Sequence, residues 1–218
     1  MATIYQLKME LESPALIGSG EGWGSVIDSD VVFDDLGLPF IPARRVKGLL
    51  RESAQELLEM FKSSGMVNFS GADLGRAFGV PGAKEGGIFV FDNLYLPDYE
   101  AVREWLRWAQ SKQALSVETT ITSLTELRDQ TSLNDDGIAE DGLLRRSRVL
   151  QAGLIFMGDI TIYQPDEAAT QLLALACRNL KYAGSIRHKG CGRVKCSLTE
   201  TGQDLAERAL ADLRKGVA

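Results

Sequence analysis

Between residues 4 and 12 the chain alternates. Tyr5, Leu7, Met9 and Leu11 fall on one side, and Gln6, Lys8, Glu10 and Glu12 on the other. A period of two predicts a half-buried strand. Residues 153–163 alternate in the same way, with Leu154, Phe156, Ile160 and Ile162 on one side. Two stretches carry the helical period instead. In residues 44–62, Val46, Leu49, Leu50, Ala54, Leu57, Leu58 and Phe61 recur at that spacing behind Pro42. From Pro165-Asp166-Glu167 to about Leu180, the apolar face is Ala168, Leu172, Leu173, Ala176 and Leu180. Gly86-Gly87 opens a further strand that runs to about Leu96. Residues 193–199 predict a last strand and 201–215 a polar terminal helix.

The segments between these elements are less regular. Residues 14–43 hold Gly18, Gly20, Gly22, Gly24, Gly37, Pro39 and Pro42 and read as a long ordered loop. Val26, Ile27, Val31, Val32 and Phe33 argue for a short strand within it. Residues 99–113 are helical, and Trp105 and Trp108 read as packing residues rather than base-stacking platforms. Residues 114–152 are polar, with a turn signal at Asn134-Asp135-Asp136-Gly137. They read as an insertion, a β-hairpin or extended arm. With the insertions removed the order is βαββαβ, an α+β, ferredoxin-like arrangement also used by RNA-recognition modules (RRM-like). Its central strands are expected at 4–12 and 153–163.

One loop carries candidate chemistry. Residues 184–193, Gly-Ser-Ile-Arg-His-Lys-Gly-Cys-Gly-Arg, place three glycines among Arg187, His188, Lys189 and Arg193 with no acid. Glycine permits positive φ and close backbone approach. Exposed N–H groups in such a loop form an anion-binding concavity. The stretch therefore reads as a clamp for a phosphate backbone. Arg44, Arg45 and Lys47 crowd the first turn of the 44–62 helix, with Arg51 one turn on. The helix dipole disfavours cations there, and a bound phosphate would relieve the conflict.

The net charge of −6 has the wrong sign for a general nucleic-acid binder. Two basic stripes on one face would still grip a polyanion. The 218 residues suit one domain with insertions. No stretch is long and apolar enough to span a membrane, and the first residues lack the pattern of a signal peptide. Cys177, Cys191 and Cys196 lack paired spacing, so reduced core thiols in a cytoplasm are expected rather than disulfides or zinc.

These motifs resemble a known family. Leu38-Pro39-Phe40-Ile41-Pro42-Ala43-Arg44-Arg45-Val46-Lys47-Gly48-Leu49-Leu50-Arg51 is similar to the G-x-P-y-I-P-G-S-S-L-K-G-x-x-R signature of the RAMP superfamily of CRISPR proteins. Phe78-Gly79 with Gly87-Ile88-Phe89-Val90-Phe91-Asp92 resembles its FG segment. Gln130-Thr131-Ser132-Leu133-Asn134, with Gly142, Arg148, Val149 and Gly153, resembles its insertion. Residues 184–192 resemble its C-terminal glycine-rich loop. The four matches are collinear over nearly the whole chain.

The resemblance is to the repeated backbone subunit of type III effector complexes. It implies a single RAMP domain over 1–218, an insertion at 97–152 including a thumb-like arm, and a C-terminal helix at 200–218. It implies binding of crRNA and cleavage of complementary single-stranded target RNA, beside other effector subunits and copies of itself in a filament. RNA contacts are expected from Arg44, Arg45, Lys47, Arg51, Gly184, Arg187, His188, Lys189, Gly190, Gly192 and Arg193. Gly24-Ser25-Val26-Ile27-Asp28-Ser29-Asp30 resembles the family's G-x-I-D-S-x-V, which assigns the catalytic and metal-binding role to Asp28. The chain departs from the family at Ala43-Arg44-Arg45 and at Gln130.

A carboxylate promotes RNA cleavage by holding a divalent metal or by positioning the attacking 2′-hydroxyl. Mg2+ (or Mn2+) needs only one or two carboxylates when phosphates and waters complete its shell. Asp30, Asp34 and Asp35 lie near Asp28 in sequence, as helpers or as turn residues. Two alternatives stay open at this point: a non-catalytic crRNA-binding subunit, and a repeat-processing endoribonuclease using His188, the only histidine.

Overall fold

The computed structural model describes residues 2–18, 29–65, 69–130 and 145–216. In chain order they form β1 (Thr3–Leu11), α1 (Ala43–Ser63), α2 (Gly71–Phe78), β2 (Phe89–Phe91), α3 (Tyr99–Ser111), α4 (Val117–Leu124), β3 (Thr125–Gln130), β4 (Arg145–Leu150), β5 (Ile155–Ile162), α5 (Glu167–Asn179), a 3-10 turn (Arg187–Lys189), β6 (Val194–Glu200), β7 (Gln203–Asp204) and α6 (Leu205–Gly216).

The main sheet has the order β2-β5-β1-β6-β7, with every pairing antiparallel. The two strands expected at its centre, β1 and β5, are central. Their alternation explains why. Leu7, Met9, Leu11, Phe156, Ile160 and Ile162 are almost wholly buried in one core with Leu50 of α1 and Leu172 and Leu173 of α5. Each such side chain contributes about 1.5–3 kcal/mol by leaving water. Helix α1 meets α5 at a small residue: the buried Ser53 hydroxyl donates to the Ala176 carbonyl at 2.8 Å, and Asn179 donates to the Ser53 oxygen at 3.1 Å. The arm is a second, two-stranded sheet in which β3 pairs with β4, Thr125 opposite Leu150. Its tip, with the turn signal at 134–137, lies outside the described residues.

Four departures from the sequence reading have physical causes. Strand β2 is short because its continuation bulges. Phe91 pairs with Ile160 but Tyr95 with Met157, so four steps on one strand span three on the other. The extra room is made at Gly158, where a Cβ would meet the Asn93 carbonyl at 2.5 Å. Helix α2 was not expected; it starts at a capping box, Ser70 and Asp73 each satisfying the other's backbone N–H. Residues 29–33 form single bridges, Ser29 to Ser147, Val31 to Gly18 and Phe33 to Pro39, instead of a strand. Trp105 and Trp108 do not pack in the core: they are 54% and 58% exposed.

Candidate nucleic-acid interface

Helix α1 begins at Pro42, which supplies no side-chain cap, and its first turn holds no acid. Asn93, in the β2 bulge, takes over one orphan donor: the Ala43 N–H donates to its Oδ1 at 2.8 Å. Arg44 and Arg45 project from this turn, exposed, and Arg45 Nε donates to the Gly18 carbonyl at 3.1 Å. Lys47 and Arg51 are half-buried further along the helix.

The glycine-rich loop returns against the segment after β1. Ser185 N–H donates to Leu16 O at 2.9 Å, Ala183 N–H to Gly192 O at 2.7 Å and Gly192 N–H to Pro14 O at 2.8 Å. Gly184 and Gly192 both adopt positive φ, +85° and +81°, and a Cβ on either would strike a protein carbonyl, that of Leu16 or Ala183. Close approach of the chain to itself thus explains two of the three glycines. Gly190, at φ +74°, faces open space.

Between the start of α1 and this loop lies a cleft of about 530 Å³. Arg44, Arg45 and Arg187 line it together with Gly184, Ser29, Asp30 and Glu52. Arg187 stands 143 positions after Arg44, so the two basic stripes of the sequence do meet. Asp30 is engaged from outside the cleft. Its Oδ2 receives Arg148 Nη1 at 3.3 Å and its Oδ1 the Val31 N–H at 2.8 Å.

Other predicted residues stand apart from the cleft. Lys189 donates to Gln130 Oε1 of β3 at 2.9 Å. Arg193 is ion-paired to Glu12 at 2.8 Å and its N–H donates to Ser13 Oγ. The His188 side chain and the whole of Asp28 lie outside the described residues. Asp34 and Asp35 are turn residues. Asp34 accepts the N–H groups of Leu36 and Leu38 and the Tyr99 hydroxyl, while Asp35 pairs with Arg103 at 2.6 Å. Burial, with the Asp34 hydrogen bond second, pushes the Tyr99 phenol well above its usual range. Among the described residues, no three His, Cys, Asp or Glu side chains gather as a metal cluster. The three cysteines are free and buried; burial pushes the Cys196 thiol up to about 12 and Cys177 upward as well, which keeps both protonated and unreactive.

Sequence reasoning passed over Ser29 and Ser185 as cleft residues and Arg148 as the partner of Asp30. No local pattern marks the serines. Arg148 stood out only as part of the insertion motif, with nothing to tie it to Asp30.

No described helix is long and apolar enough to cross a membrane. No protein-family model matches the chain, and no curated protein matches it. Solved structures do. A chain of type III-B Cmr-beta bound to cognate target RNA superposes with a TM-score of 0.64 at 14% identity, over 89% of this chain and 96% of that one. A chain of type III-B Cmr-beta in the apo state superposes at 0.63 and 14% identity, over 92% and 98%. Structural neighbours of this α+β chain thus include chains of type III-B Cmr-beta, whose fold it shares over 89–92% of its length.

Proposed function

We propose that this chain is a backbone subunit of a type III CRISPR effector that binds crRNA and cleaves complementary target RNA. The observation that carries the reading is the cleft in which Arg44, Arg45 and Arg187 converge from two distant segments. Three guanidiniums lining one open groove are the donors that phosphates of an RNA backbone recruit. The shared fold supports it further. The strand order β2-β5-β1-β6, with α1 and α5 as the connections, supports a ferredoxin-like core. The β3–β4 hairpin is the candidate thumb.

Cleavage is assigned to Asp28, the residue before Ser29 in the cleft wall. A divalent ion, Mg2+ or Mn2+, would supply electrophilic stabilisation of the phosphoryl oxygen. The carboxylates on the cleft side of the described residues are few: Asp30, which already serves Arg148 and Val31, and Glu52. They suit an ion held by one carboxylate and completed by RNA phosphates and water, not a protein cage. The protein's own part is to fix the RNA backbone with Arg44, Arg45 and Arg187. Other effector subunits and further copies of this chain are the proposed partners.

The test is Asp28→Ala in the complex assembled with its crRNA, supplied with complementary RNA and Mg2+. Loss of the cut beside this subunit, with crRNA retained, is expected. An undiminished cut would leave a structural RNA-binding subunit instead.

A further inference from the structure

We infer that Arg148 is a positioning residue that fixes one wall of the RNA cleft to the base of the arm. The inference rests on the proposed function, because the wall it fixes, Ser29 and Asp30, follows directly on Asp28 in the chain.

Arg148 holds this wall by three separate contacts. Its backbone N–H donates to the Ser29 carbonyl at 3.0 Å, beside the Ser29–Ser147 bridge. Its Nη1 meets Asp30 Oδ2 at 3.3 Å. Its guanidinium stands 5.9 Å from the centre of the Phe33 ring. Only 19% of the Arg148 side chain and 13% of the Asp30 side chain remain exposed, so solvent weakens this pair far less than the surface pairs. Removing the arginine would take from the mostly buried Asp30 carboxylate the partner that holds its Oδ2, and the wall would have to rearrange to solvate that oxygen. Lysine would restore the charge but not the planar group over Phe33.

The strand that carries Arg148 is itself tied to the other wall. Leu127 of β3 pairs with Arg148. Its neighbour Arg128 reaches Cys191 Sγ at 3.3 Å, and Gln130 accepts from Lys189 at 2.9 Å. The base of the arm therefore contacts the Ser29–Asp30 wall through β4 and the glycine-rich loop through β3. Arg148 is the least exposed cation among these links.

The test compares Arg148→Met and Arg148→Lys with the wild type, in the purified chain and in the assembled complex with crRNA. In the purified chain, Arg148→Met should speed hydrogen exchange at the Val31 amide, and Arg148→Lys should do so less. In the complex, Arg148→Met should slow single-turnover target cleavage by as much as about a hundred-fold, the scale of a misplaced reacting group. Target Kd should stay within about two-fold of wild type, the signature of an effect confined to the reacting geometry. Arg148→Lys should recover part of the rate. Unchanged exchange at Val31 in Arg148→Met overturns the inference, and so does a parallel fall of rate and affinity in both variants. Asp28→Ala is run alongside. If it cleaves as the wild type does, the proposed function fails, while exchange at Val31 still decides whether Arg148 holds the wall.

Discussion

The Leu16 carbonyl occupies the space in which a side chain on Gly184 would have to stand, and accepts the N–H of the next residue, Ser185, at 2.9 Å. The floor of the cleft is thus two backbones in contact. Gly184→Ala should destabilise the fold by about 2–5 kcal/mol, about 1–2 from left-handed strain and about 1–3 from the collision. Gly190→Ala, also at positive φ but facing open space, should cost only about 1–2 kcal/mol, the strain alone. Urea denaturation of both variants checks the difference, and a Gly190 variant as damaged as the Gly184 variant would contradict it.

Tyr99 links α3 to the loop before α1. Burial first, then the hydrogen bond to Asp34, raise its pKa in the folded state. The neutral phenol is therefore favoured by folding. The resulting stability is fully present below the unfolded value of about 10 and is lost as pH rises through the higher folded value. Urea midpoints should hold up to about pH 10, the unfolded value of tyrosine, and fall above it. Tyr99→Phe should flatten that fall; an equally steep decline in the variant would show that another group titrates.

Trp105 and Trp108 stand one turn apart on α3 and face solvent. Trp105→Ser and Trp108→Ser should each change stability by no more than about 0.5 kcal/mol. A loss of about 3 kcal/mol or more, the cost of truncating a packed tryptophan, would contradict the exposure.

The tryptophans also show where sequence reading stops. An apolar side chain signals packing, but whether another element covers it depends on the tertiary arrangement. Strands β1 and β5 were legible because each buries one face, and α5 because its apolar positions recur. Helix α2 could have been found from Ser70 and Asp73, three residues apart ahead of an apolar turn. The bulge at Asn93 could not, since the glycine that makes room for it, Gly158, is 65 positions away. The site divides in the same way. The basic clusters were visible and their convergence was anticipated. That Arg193 is held by Glu12 and Lys189 by Gln130 was not, because each partner is distant in sequence.

The position of Arg44, Arg45 and Arg187 in the cleft, with Arg193 outside it, gives the central claim a direct measurement. Each phosphate contact with single-stranded RNA contributes about −0.7 to the slope of log affinity against log salt. The purified chain is titrated with crRNA over a range of salt, as wild type, as Arg44→Ala/Arg45→Ala/Arg187→Ala and as Arg193→Ala, each first checked for an unchanged thermal midpoint. The triple variant should bind weakly and with a slope shallower by about 2, three contacts' worth. Arg193→Ala should bind as the wild type does. A triple variant that keeps the wild-type slope would contradict an RNA backbone lying in this cleft.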